Sequence, residues 1–383
     1  MKIINTILAS LLTVFLGAAG QSGNLSQVGK PATIKVLLHK NTPKPLIEVK
    51  GRYYVDEPVS GMQLSTGILS RRSFITQEAY GLNWGEKFPG ISQLRIVPGD
   101  SQTTVLINGI QYRGCIEIYA IDGNFNIINE VDIESFLKST LTLQFPHPLQ
   151  DEATNALAIV ARTNAYYLAS KGKSSLWHIT AQEAHYPGYA LTGYKPYIDR
   201  AVDLTRHAIM TFQNAPFAAT WTQDSAGRTA SFAEIFRKSL AAPAGVAAPL
   251  AAKERDKHQW SFTASKQALA KAANLPSISA VDLYLTPQSE KVYAVRLSSG
   301  TQSNDVDFFT LQKVLGSHRL RSTDFKVTLK GDQMIFTGYG EGPGTGLCLL
   351  SAEALAEKGE KAPKILTTFF PATQIEKVRS LDH

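Results

Sequence analysis

The sequence predicts an α+β fold, and three observations carry that prediction. Short strand-like runs crowd residues 32–119. A long alanine-rich helical stretch follows at 151–170, and beyond residue 250 short helices and strands alternate. Strands gathered first, with helices set apart from them, are the pattern of an α+β architecture, not of a regular βαβ repeat.

The chain has 383 residues, enough for two or three compact units. With 44% hydrophobic and 19% charged residues it has the composition of an ordinary globular protein. A net charge of +7 suits a polyanionic partner, but the charge is dispersed. There is no run of five Lys/Arg and no zinc-finger, RNA-binding or helix-turn-helix signature, so a solvated basic surface is favoured over nucleic-acid binding.

At the N-terminus, Lys2 precedes the apolar run 7–16 and the small residues Gly17 to Gly20. About ten apolar residues are too few to span a bilayer, so residues 1–20 read as a cleaved signal peptide in preference to the alternative of an uncleaved anchor, with export to the periplasm or cell envelope and no transmembrane anchor after cleavage. Cys115 and Cys348 lie in apolar surroundings. Export permits a disulfide between them, but cysteines so far apart are more often small buried hydrophobes. No Cys/His spacing suggests a metal site, and no cofactor is expected.

The β-rich region, 21–110, holds TIKVLL, LIEVKGRYYV, LRIVP and TTVLI, with Asn108-Gly109 predicting a hairpin turn. A second unit is expected over 111–378, followed by a tail at 379–383. A helix over IESFLKST carries Asp132 and Glu134 at its start, where carboxylates favour the positive end of the helix dipole. The break at Pro146 to Pro148 would present Gln144 and His147 at the entrance of the alanine-rich helix. Small residues at helical spacing let that helix approach its neighbours closely, which makes its arginine, Arg162, conspicuous. It suits either a surface or salt-bridged arginine or a functional groove.

Residues 177–197 lack any period and read as a long loop whose Tyr186 and Tyr189 offer flat apolar faces, or pin the loop to the core. A strand pattern then ends in a small polar turn carrying Ser225, Arg228 and Thr229; there is no G-x-S-x-G elbow, which disfavours a serine hydrolase. Residues 240–252 read as a surface linker, and helices and strands resume after it. Five alternating glycines, Gly338 to Gly346, surround Tyr339 and Glu341. They lack the lysine of a phosphate loop, so close approach to a partner strand or ligand is the better reading.

YRG (112–114), NEVDIESFLK (129–138), EATNALAIVARTNAYY (152–167), DSAGRT (224–229), LRSTDFKV (320–327), GYGEGPGTG (338–346) and ILTTFFPATQIEKV (365–378), in this order, resemble the SpoIID/LytB family of bacterial cell-wall proteins. The resemblance implies a mixed fold in which the alanine-rich helix lines a groove, and action on peptidoglycan as in lytic transglycosylases. In the family a glutamate in a P-S-E-M-P motif protonates the glycosidic oxygen. The aligned residues are Thr142, Leu143, Gln144, Phe145 and Pro146, so Gln144 stands at the acid position. Likewise the pattern W-G-H-G-V-G-M-S-Q has Glu341 for its tryptophan, Pro343 for its histidine and Leu349 for its glutamine.

A glutamine amide has no proton to give. The expected function is therefore binding of peptidoglycan glycan strands in wall remodelling or division, through Gln144, His147, Arg162, Thr163, Tyr186, Tyr189, Ser225, Arg228, Thr229, Tyr339 and Glu341. Two alternatives stand beside it. One is an active lytic transglycosylase whose acid has moved to Glu341 or Glu183, with Asp224 a further carboxylate nearby. The other is a non-catalytic scaffold or enhancer of a cell-wall amidase.

Overall fold

The computed structural model describes residues 33–172, 175–189 and 194–378. The expected signal peptide at 1–20 and the tail at 379–383 lie outside the described residues. The fold is α+β, strand-rich in its first third. A seven-stranded sheet runs in the order Ile179–Thr180, Thr33–Thr42, Asn124–Asp132, Cys115–Ile121, Gln93–Pro98, Tyr53–Asp56, Gln63–Gly67. A four-stranded sheet contains the hairpin 104–112, where Ile107 pairs with Ile110 and the two intervening residues, Asn108 and Gly109, both take positive φ. That is the geometry an Asn-Gly turn supplies.

The core does not divide at residue 110. Strand Cys115–Ile121 pairs with Gln93–Pro98 across that point, and one cluster of buried side chains runs from Ile34 and Val49 through Leu137 and Leu157 to Ile365. A division appears later. Trp260, Leu269, Val295, Phe308 and Phe336 form a separate core under two three-stranded sheets, within 259–339.

Two helices pack within the larger core. Helix α1, Ile133–Gln144, is capped by Asp132, whose side chain accepts from the amides of Glu134 and Ser135. It ends at Phe145, ahead of Pro146 and Pro148, which cannot continue a helix. Helix α2, Asp151–Lys171, buries thirteen residues along its 21, because its alanines let the neighbouring elements pack close.

The expected loop 177–197 is partly ordered into elements. Ile179–Thr180 joins the large sheet, Ala181–Ala184 makes one helical turn, and Pro196–Leu204 is a helix. The segment 240–252 is not a free linker. It runs along the surface, but the Val246 amide donates to Thr229 Oγ1, the Ala248 amide donates to Gly227, and Ala248 and Ala251 are buried. Its small residues serve this close apposition: a Cβ on Gly245 would stand 2.1 Å from the Thr229 carbonyl oxygen. Cys115 and Cys348 are both free thiols, and burial pushes the Cys115 thiol up from its ordinary value. Among the described residues no helix is long and apolar enough to cross a membrane.

Candidate functional site

The glycine loop and the polar turn meet. Asp224 and Glu341 exchange both backbone hydrogen bonds at 3.0 Å, and Trp221–Thr222 lies parallel to Leu347–Cys348. Such close apposition requires glycine. A Cβ on Gly346 would sit 2.0 Å from the Thr220 carbonyl oxygen, and one on Gly340, at φ +73°, 2.6 Å from that of Asp224. The alternating glycines therefore hold a partner strand, as the sequence suggested.

On this seam opens a cleft of about 310 Å³, lined by Gln223, Asp224, His258, Arg321, Gly340, Glu341 and Leu350. Glu341, 51% exposed at its side chain, pairs with Arg321 at 2.5 Å. Asp224 is almost wholly buried, at 4%, and both its oxygens are used. Oδ1 accepts from the Ala226 amide at 2.8 Å, closing the turn, and Oδ2 meets His258 Nδ1 at 2.6 Å. An ionised carboxylate can only accept, so Nδ1 is the donor in this contact, and Nε2 faces away from it. The His258 side chain is 42% exposed.

A partly buried ion cluster around Lys291 ties the turn down. Lys291 Nζ donates to the Ser225 carbonyl and to Asp324 Oδ2, each at 2.7 Å, and Arg255 donates to Asp324 Oδ1 at 2.8 Å. Burial pulls the Lys291 ammonium below its ordinary range, against the opposing pull of Asp324. The Arg255 guanidinium also lies over the Tyr339 ring, 4.1 Å from its centroid.

Of the residues singled out from sequence, Glu341 and the further carboxylate, Asp224, line the cleft. Tyr339 is two residues from Glu341, under Arg255. Ser225, Arg228 and Thr229 lie on the adjoining turn: Ser225 is 1% exposed with its Oγ unpartnered, Thr229 is buried against Val246, and exposed Arg228 donates to the Gln288 carbonyl. Gln144 and His147 sit at the end of α1, His147 exposed and Gln144 donating to the Thr140 carbonyl at 3.3 Å. They are not cleft residues, although Phe145 packs on Trp221, two positions before Gln223, with ring centroids 6.2 Å apart.

Three expectations about side-chain direction give way. Arg162 is fully buried and faces no groove. It grips Glu134 with Nε to Oε1 at 2.9 Å and Nη2 to Oε2 at 2.7 Å, and its remaining donors reach Thr205, Ala208 and Val202. Thr163 is equally buried, accepting from the Met210 amide and donating to Ile159. Tyr186 is 5% exposed, its hydroxyl donating to Asn129 Oδ1, and burial raises its phenol far above the ordinary range.

Tyr189 is exposed under the Arg113 guanidinium, 3.9 Å from the ring centroid. Glu183 closes a capping box with Thr180 and is thereby engaged in local structure. Sequence reasoning missed His258, Arg321 and Gln223. Arg321 stood within LRSTDFKV, but nothing around His258 signalled a partner 34 positions upstream. Among the described residues no cluster of His, Cys, Asp and Glu is placed to hold a metal.

The molecule is thus an α+β protein with a charged surface cleft set on a glycine-built seam. Residues 121–212 match the family described as Stage II sporulation protein, SpoIID. The chain is 33% identical to an uncharacterized protein of Chlamydia pneumoniae over 179 residues, 46% of this chain and 65% of that one, just under two thirds of its relative's length. It is 33% identical to an uncharacterized protein of Chlamydia muridarum over 219 residues, 55% of this chain and 76% of the other. With the Stage II sporulation protein D of Bacillus subtilis it shares 23% identity over 268 residues, 65% of this chain and 76% of that protein. The chain belongs to the SpoIID family.

Proposed function

We propose that this protein is an exported, peptidoglycan-interacting member of its family that binds glycan strands during wall remodelling or division, and that the cleft between the glycine loop and the 224–229 turn takes the sugar. Family membership supports a cell-wall-related role. The observation that carries the finer reading is the cleft itself: a carboxylate, a guanidinium and an imidazole converge there at the surface on a rigid seam. Groups of this kind hydrogen-bond sugar hydroxyls and amides in pairs, and their rigidity limits the entropy lost on binding.

Gln144 supports binding over cleavage, because its amide cannot act as a general acid. Glu183 is a poor substitute, since Thr180 already holds its carboxylate. Glu341 is engaged by Arg321, the contact a sugar would have to share.

The test is retention of the full chain on insoluble glycan strands freed of peptide. Arg321→Ala and Glu341→Gln are each expected to weaken retention roughly tenfold or more, the loss of one charge-assisted hydrogen bond. Retention of both variants equal to wild type would remove sugar from the cleft. No retention of any form, together with stimulation of a cell-wall amidase, would favour the scaffold reading.

A further inference from the structure

We propose that a neutral groove at the 213–214 turn is a second, separate subsite, which takes the acetamido group of an N-acetylhexosamine in the strand that the charged cleft holds. The inference rests on the glycan-binding reading of the cleft and adds to it a site of different chemistry.

The groove, of about 370 Å³, is lined by Thr211, Phe212, Gln213, Asn214, Ala372 and Gln374. Strand Ala208–Phe212 pairs there with Thr373–Lys377, and Thr211 lies directly opposite Gln374. This base is fixed in place. Thr211 is 3% exposed and donates to Glu376 Oε1 at 2.8 Å, and Phe212 meets the buried Phe217 edge-on with ring centroids 6.3 Å apart. Three exposed carboxamides, Gln213, Asn214 and Gln374, complete the lining. Among the described residues none of the three has a side-chain partner, and no lining residue is charged.

The backbone shows that these amides are not chosen for the turn. Phe212 and Ala215 exchange both backbone hydrogen bonds, at 2.9 and 3.2 Å, and the two residues between them take φ of +52° and +62°. A turn with two such residues favours Asn-Gly, the pair that the chain uses at Asn108-Gly109. Here Gln stands at the first position and Asn at the second, so each carries a longer side chain than the backbone favours. A third lining residue, Ala372, is held at φ +60°. Left-handed backbone in residues other than glycine is costly, and it gathers where a site uses the groups it positions.

A carboxamide sets an N–H donor beside a carbonyl acceptor, the complement of a secondary amide. The neutral lining offers no counter-charge to a carboxylate or an ammonium, which disfavours an acidic peptide. An N-acetylhexosamine suits it better, with one secondary amide, ring hydroxyls and an apolar ring face for Phe212. Gln213 precedes Gln223 of the cleft by ten residues, at most about 36 Å of chain. A strand of several sugars covers that span, so one strand can engage both sites and each contact raises the effective concentration at the other.

The probe is chitotetraose, an uncharged N-acetylglucosamine tetramer, titrated calorimetrically into the full chain. Gln213→Gly and Asn214→Gly each remove an amide while suiting the left-handed backbone better. Each is expected to weaken binding roughly three- to tenfold, the loss of one hydrogen bond, with a melting temperature at or above that of wild type. Gln374→Thr, acceptable in a strand, should weaken binding to a similar degree. Affinity that falls while stability holds or rises marks a binding role, because a residue that only shapes the turn would not separate the two.

Chitotetraose bound equally by wild type and all three variants would overturn the groove. Displacement of chitotetraose by the peptides released from glycan strands would overturn its assignment to a sugar. Wild type that is retained on glycan strands but does not bind chitotetraose would remove the groove and leave the cleft reading intact. Wild type that binds neither would overturn both.

Discussion

Arg162 is the residue on which reading from sequence and reading from structure part most clearly. An arginine amid alanines draws attention whether it serves a ligand or a core, and only its partners decide. Glu134 lies 28 positions away on the preceding helix, and the backbone acceptors at Val202 and Ala208 come from later elements. No local pattern carries that information. Because the pair is buried and every donor is satisfied, removing one partner leaves an uncompensated charge. Arg162→Met is expected to cost about 3–5 kcal/mol in chemical denaturation, whereas Arg162→Met combined with Glu134→Met should cost much less. Equal losses in the single and double variants would count against the pair as the cause. Gln144 is a different case, half-exposed and bonded only within its own helix. Gln144→Glu returns a carboxyl to the position that the family resemblance marks, beside the undisturbed Phe145–Trp221 packing. Cleavage of peptide-free strands is expected to rise at least roughly tenfold. No gain would place the end of α1 off the glycan's path.

Among elements, what was legible followed local chemistry. The helix beginning at Asp132, the break before Asp151 and the Asn108-Gly109 hairpin each rest on capping, proline or turn signals, and each stands where expected. What was not legible followed from long-range apposition. The segment 240–252 is rich in Ala, Pro and Gly, the composition of a linker, yet those small residues are there to fit against the 224–229 turn. The glycine loop shows the same physics with the opposite outcome, since its alternation announced a close approach without naming the partner. Gly340→Ala tests that apposition: its φ of +73° and a contact of 2.6 Å to the Asp224 carbonyl oxygen make a methyl group costly twice over. A loss of about 1–3 kcal/mol is expected, with weaker retention on glycan strands as the Asp224–Glu341 bridge opens. Wild-type stability in this variant would mean that the seam is not what holds the cleft.

For the whole molecule, the larger core joins the strand-rich first third to α2 and the C-terminal helix Ala362–Phe369, so anything that loosens the large sheet should lower global stability. Two half-buried histidines lie on its strand Thr33–Thr42 or against it. The ring of His178 accepts the Lys35 amide at Nδ1, and His39 has an Nε2 with no partner. Burial depresses both below the ordinary value of 6.5, with the Lys35 charge adding to the effect at His178. The unfolded chain therefore binds these protons more tightly than the folded one. Their contribution is complete above the unfolded value and is lost as pH falls through it and the depressed folded values. Other groups act in separate windows. Hydrogen bonds from Ser60 hold Glu57 down at about 2, so its contribution fades only below the ordinary carboxylate value of 4.5. Asp199 and Glu353, raised by burial, act in the opposite sense, their contribution present at acid pH and lost as pH rises through their folded values. The denaturation midpoint is accordingly expected to fall between about pH 7.5 and 5.5. His178→Gln, which keeps an acceptor for the Lys35 amide but does not titrate, should flatten that slope, and combining it with His39→Gln should flatten it further. A slope unchanged in the double variant would move the acid sensitivity away from the large sheet.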